Sequence, residues 1–476
     1  MKRKIIFLFL IFFFVGTIKS QARLFLPEII GDNMVIQQQT DVRIWGKANP
    51  DAEVFVWTEW NRRKNKCVAD ADGKWQVYVK TPKAGGPYII KIFSGKDKEI
   101  LKDVLVGEVW LCSGQSNMAM PMYGFANQPI EGNTDLILKA KPSTQIRICN
   151  VVAPLEKEPL EFPVSAHWQQ HTPDAVGSAS ATAYFFARYL NEVLQVPVGI
   201  ITAAVGGTRV EQWMDQETLA EYDYLFESRR TVKREQEIQK THSQHYNGKI
   251  APIEKFSIRG EIWFQGENNV SNPEVYEVLF PKYVEMMRKN WGVGNFPFYY
   301  VQIGSHDYKE PDGTCASVIR EIQRKALDKI PESGMAIVID DQYCTIHNAN
   351  KKLVGERLAY LALEKTYSFH QIESQGPLYD SLEIKGSVAH VIFKPGKYGI
   401  APYRCDVKGF EIAGEDRIFY PAKARTVANK MEVIVSSPKV KHPVAVRYAF
   451  RNVPETGLYN NFGIPASPFR TDNWDL

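Results

Sequence analysis

Six cysteines in 476 residues are too few, and too irregularly spaced, to frame a disulfide scaffold, and no CxxC pair offers a structural zinc site. The longest hydrophobic run, residues 5–15, is eleven residues long, well short of the roughly 20 that a membrane-spanning helix needs. Charge of one sign is also missing. Of the 58 basic residues, four (Lys2, Arg3, Lys4 and Lys19) fall in the first twenty positions, and without them 54 basic residues face 54 acidic ones. That balance removes the electrostatic case for nucleic acid or anionic lipid as a partner. There is no internal repeat, no low-complexity stretch, and no collagen-like or heptad period. With 44% hydrophobic and 12% aromatic residues, the chain is globular and long enough for two to four domains.

The basic start, the apolar run and the small residues Gly16, Thr17 and Ser20 have the three-part layout of an export signal. Residues 1–21 are therefore expected to be removed near Ser20 or Gln21, leaving a secreted or periplasmic protein with no membrane span. In that compartment the cysteines can form up to three bridges or remain buried thiols.

Residues 22–105 read as short strands separated by turn residues such as Asp72-Gly73, the pattern of a β-sandwich-like domain. From residue 106 to 368, apolar runs at 106–114, 197–205, 258–266, 296–304 and 335–340 alternate with helical patterns at 181–194, 275–291, 316–330 and 351–365. Such alternation predicts an α/β domain whose parallel sheet is covered on both faces. Residues 369–476 return to strand patterning, as a separate β domain or the second half of the first.

Ligands of open α/β sheets bind beyond the carboxyl ends of the strands, so the residues after each expected strand carry the functional reading. Gly114-Gln115-Ser116-Asn117-Met118 places a serine on a strand-to-helix turn, where a base can reach its hydroxyl. Met118 in the last position makes it differ from the G-x-S-x-G elbow. Gln115 beside it is a candidate substrate contact. Gly206-Gly207 can bring backbone N–H groups to an oxyanion, and Arg209 can pair with a substrate carboxylate. Gln265-Gly266-Glu267-Asn268-Asn269 offers an amide donor from Gln265 or Asn269 and a carboxylate, Glu267, to orient a histidine. His347 is the candidate base and His306 its competitor. A hydroxyl, a base and oxyanion donors are the parts of acyl transfer.

These blocks, together with residues 24–38, 245–253 and 457–474, resemble the sialate O-acetylesterase family of the SGNH hydrolase superfamily. The resemblance covers nearly the whole chain beyond the export signal. It implies a flavodoxin-like three-layer α/β/α core with flanking all-β regions, and removal of O-acetyl groups from a sugar, typically sialic acid, without metal or cofactor. Carried over to this sequence, Ser116 is the nucleophile and His347 the base. The oxyanion donors are the Ser116 and Gly207 N–H groups with Gln265 or Asn269. Cys344 stands where the wider superfamily often has an aspartate, three residues before the histidine, and Asn348 replaces the proline that commonly follows it. The third triad member is therefore open between Glu267, Asp341 and a backbone carbonyl. Acetylated xylan is an alternative substrate, and a carbohydrate-binding protein on a catalytically dead scaffold is an alternative class.

Overall fold

The computed structural model describes residues 24–475 apart from 230–232, 234–239, 311, 342–344 and 403–405. The expected export signal, Cys344 and Cys405 lie outside the described residues. Cys67, Cys112, Cys149 and Cys315 are unbridged.

The N-terminal strands are β1 (Val35–Gln37), β2 (Asp41–Lys47), β3 (Glu53–Thr58), β4 (Lys64–Val68), β5 (Lys74–Lys80), β6 (Gly85–Ser94) and β7 (Asp97–Gly114). β2 and β5 pair antiparallel along their full length, while β3, β4 and β6 join β7, with β1 parallel to its middle. In β5 the burial alternates strictly, with Trp75, Val77 and Val79 inward and Lys74, Gln76, Tyr78 and Lys80 outward. That is the period-two signature of a sheet with one wet face. β7 is 18 residues long and runs without a break through position 106, where the sequence pattern changes.

Beyond residue 105 β7 is buried at every position, because there it becomes the centre of a second, parallel sheet. Its other strands are β8 (Ile146–Asn150), β9 (Trp168–Gln170), β10 (Val198–Ala204), β11 (Gly260–Phe264), β12 (Phe298–Val301) and β13 (Ser333–Ala336). The order is β13-β12-β11-β7-β10-β8-β9, parallel except for β9. Set β8 and β9 aside at one edge and the remaining five follow the doubly wound order 2-1-3-4-5. The chain steps from β7 to one side and then crosses back to the other, so the switch point lies at the carboxyl end of β7.

The helices are α1 (Ser116–Ala119), α2 (Asn133–Leu138), α3 (Pro173–Ser178), α4 (Ala181–Leu194), α5 (Gln216–Ala220), α6 (Pro273–Trp291), α7 (Cys315–Ala326) and α8 (Lys351–Lys365). Alternate residues of each central strand feed opposite cores. Trp110, Cys112, Ile200, Ile262 and Tyr299 pack with α4 and α8, whereas Val109, Leu111, Ile201, Trp263 and Tyr300 pack with α6 and α7. Residues of the same strands thus belong to two separate hydrophobic clusters. The last expected strand is shorter than its run: Ile337, Val338 and Ile339 are buried but lie outside β13. Beyond α8, short antiparallel strands between Tyr379 and Arg470 form separate small sheets. No helix of the described residues is long and apolar enough to cross a membrane.

Candidate active site

Ser116 opens α1 directly after β7, so it sits at the switch point of the sheet. Gly114 makes this turn possible. Its φ is +136°, and a Cβ there would lie 2.2 Å from the Phe264 carbonyl oxygen of β11. Gly206, at the end of β10, covers the serine from the other side, where an added Cβ would meet the Ser116 Cβ at 3.4 Å. The N–H groups of Ser116 and Gly207 have no acceptor among the described residues, and both residues reach solvent.

Beneath Ser116 lies a buried polar hub. The Asn117 side-chain N–H donates to Glu267 Oε1 at 2.6 Å and to the Ile346 carbonyl at 3.1 Å. Lys351 donates from its Nζ to Asn117 Oδ1, and to Asn348 Oδ1 at 2.7 Å. One asparagine therefore joins the serine turn, the strand-end carboxylate and the residue before His347. Lys351 is fully buried in the first turn of α8, where the helix dipole disfavours a cation. Burial pulls its pKa down to about 7 against the opposing pull of Glu267 and Asp341. Burial likewise raises the Glu267 carboxyl above the usual range.

His347 is half-buried on the segment that leads into α8. Its Nδ1 lies 2.6 Å from Gln128 Oε1, and its ring meets Phe125 edge to face at 5.3 Å. Burial, then the charges of Lys351 and His306, hold its pKa down at about 4. Ser116 and His347 share no hydrogen bond here, a looseness common in unliganded sites. The competitor His306 is also near this ring and meets Tyr308 edge to face at 4.7 Å.

The family model for "carbohydrate esterase, sialic acid-specific acetylesterase" matches residues 106–364, more than half of the chain. The chain belongs to this family. Over 92% of its length it is 28% identical to the sialate O-acetylesterase of Pongo abelii, covering 91% of that protein, and 27% identical to the human one over the same shares. The crystal structure of a carbohydrate acetylesterase from Xanthomonas citri superposes with a TM-score of 0.86 at 30% identity, covering 95% of this chain and all of that one. The protein is therefore an esterase of this carbohydrate-esterase family.

Within this esterase several expected residues have other partners. Glu267, expected to orient His347, hydrogen-bonds Asn117 instead, and Asp341 makes no hydrogen bond to the histidine either. The amides expected to stabilise an oxyanion are both fully buried and engaged. Gln265 Nε2 donates to Gln115 Oε1, the Thr208 carbonyl and Asn269 Oδ1, while Asn269 Nδ2 donates to Glu211 and Asn272. A donor already bonded in a dry interior has no hydrogen left for a substrate. Gln115 is likewise turned inward, its Oε1 accepting from Gln265 and from the Gly266 and Asn268 N–H groups. Arg209, expected at a substrate carboxylate, is 1% exposed. Its guanidinium bonds the Asn268 carbonyl and Ser271 beside Glu211.

Phe125 and Gln128 had no signal in the sequence, and Asn117 and Lys351, though they lie in or beside blocks that carry the resemblance, had no role of their own there. Asn117 sits in the quoted serine block and Lys351 four residues after His347. Their roles depend on partners 150 or more residues away.

Proposed function

We propose that the protein is a serine O-acetylesterase of acetylated sugars, with Ser116 as nucleophile and His347 as general base. The observation that carries this reading is Ser116 at the sheet's switch point, with unengaged N–H groups at Ser116 and Gly207 and a neutral imidazole nearby. Ser116 Oγ attacks the acetyl carbonyl carbon while His347 Nε2 takes its proton. The tetrahedral oxyanion is met by the two backbone N–H groups, each contributing about 3 kcal/mol. The carbon–oxygen bond to the sugar then breaks, and His347 returns the proton to the leaving hydroxyl. Water, activated by the same imidazole, releases acetate from the acetyl-serine.

The reading includes a three-layer SGNH-type core over residues 106–368, between β domains at 22–105 and 369–476. Residues 1–21 are assigned as an export signal, which gives a secreted or periplasmic location. Sialic acid is the first substrate to test, because the family model and the mammalian relatives carry that name. A neutral acetylated sugar such as acetylated xylan is the second reading, favoured by the burial of Arg209 against Glu211, Asn268 and Ser271.

The experiment compares acetate release from O-acetylated sialic acid and from acetylated xylooligosaccharide by wild type and Ser116→Ala. Serine-dependent release from sialic acid alone supports the first reading, and release from the xylan fragment alone transfers the mechanism to the second. Undiminished release by the variant removes the serine mechanism.

A further inference from the structure

The loop after α1 closes on His347 as a clasp. Phe125 and Gln128 exchange backbone hydrogen bonds of 3.1 and 2.9 Å across the two residues Ala126 and Asn127, and Asn127 adopts φ +61°. Gly124 precedes the turn at φ +80°, where a Cβ would lie 2.4 Å from the Gln128 carbonyl oxygen. Only glycine lets the two arms close this tightly. Both ends of the turn touch the same imidazole, through the Phe125 ring and the Gln128 side chain. The Glu131 N–H, bonded to the Ala349 carbonyl at 3.0 Å, ties the far end of the loop to the histidine segment.

We propose that Gln128 is the positioning residue for His347, standing where a carboxylate stands in the usual serine–histidine–acid arrangement. This rests on the reading of His347 as the base. The Gln128 Oε1 can only accept, so Nδ1 carries the ring proton and Nε2 presents its lone pair for the serine proton. Of the carboxylates that could compete, Glu267 is held by Asn117 and Asp340 by Arg357, while the charge of Asp341 acts on Lys351. Among the described residues, the charged and titratable groups facing His347 are Lys351 of α8 and His306 of the loop after β12. A neutral amide fixes the ring without favouring the imidazolium, which a carboxylate would do.

The test measures hydrolysis of 4-nitrophenyl acetate against pH by the full-length wild type, Gln128→Ala, Gln128→Glu, Glu267→Gln and His347→Ala. Gln128→Ala should lose about a hundredfold in kcat, the scale that a misplaced catalytic group costs, with KM changed less than about threefold. Gln128→Glu should stay active and move the acid limb of the profile upward by about one pH unit or more. Glu267→Gln should leave that limb in place. Near-wild-type kcat in Gln128→Ala, or a limb that moves in Glu267→Gln and not in Gln128→Glu, overturns the assignment. If Gln128→Ala fails to fold, the Gln128→Glu limb decides alone. Full activity in His347→Ala would instead sink the base assignment itself, a failure distinct from that of Gln128.

Discussion

The Glu267 carboxylate accepts a hydrogen bond from the Asn117 side chain at 2.6 Å, one residue past the candidate nucleophile. The same Asn117 N–H group holds the Ile346 carbonyl, and its oxygen holds Lys351. Serine turn, histidine segment and strand-end carboxylate are thus set relative to one another through one buried amide. Asn117→Ala should lower kcat by at least about tenfold while KM moves less than about threefold, since a positioning loss falls on the transition state. A wild-type kcat would show that the hub is only packing.

The acid limb of activity should lie low. A general base must be unprotonated, and burial with the neighbouring Lys351 and His306 charges disfavours the His347 imidazolium, placing its pKa at about 4. kcat/KM should therefore hold on acidification until about pH 5 and fall below it. An inflection near the ordinary histidine value of about 6.5 would contradict this environment.

Arg209→Ala should act on stability and not on charge selection. The guanidinium is buried against Glu211, the Asn268 carbonyl and Ser271, so its removal leaves those acceptors short of a donor. Melting temperature should fall by several degrees, and KM should change alike for charged and neutral acetylated sugars. A rise confined to the charged sugar would return Arg209 to the substrate.

Glu261 should make stability fall as pH rises. Its carboxyl is wholly buried, takes one hydrogen bond from Tyr283 at 2.7 Å, and is pushed by burial up to about 8. Between its ordinary value of 4.5 and about 8, the folded chain holds a proton that the unfolded chain releases, so folding weakens across that window and levels off above it. Glu261→Gln removes the titration. Its melting temperature should exceed wild type by a few degrees above pH 8, with the gap closing toward pH 5. Parallel curves for the two proteins across that range would refute the assignment.

Much of the fold was legible in the sequence. The helices expected at 181–194 and 351–365 have those bounds, and the apolar runs at 197–205 and 258–266 contain β10 and β11. Side-chain periodicity and turn chemistry are properties of neighbouring residues, so they show in one dimension. β8 and β4 were missed because Ile146–Asn150 and Lys64–Val68 are short and carry polar or charged residues.

Local patterning in the sequence is enough to define the central strands β7, β10, β11 and β12 and to place a serine, a glycine pair and an amide block after three of them. It could not tell a side chain that faces a ligand from one that braces the interior. Gln265, Asn269, Gln115 and Arg209 look like donors in sequence, yet all four are buried with partners of their own. Asn117 meets Glu267 across 150 residues and Gln128 meets His347 across 219. Such pairs form only once the chain has folded, because each polar group bonds whatever the fold brings within about 3 Å, and no local pattern records that choice.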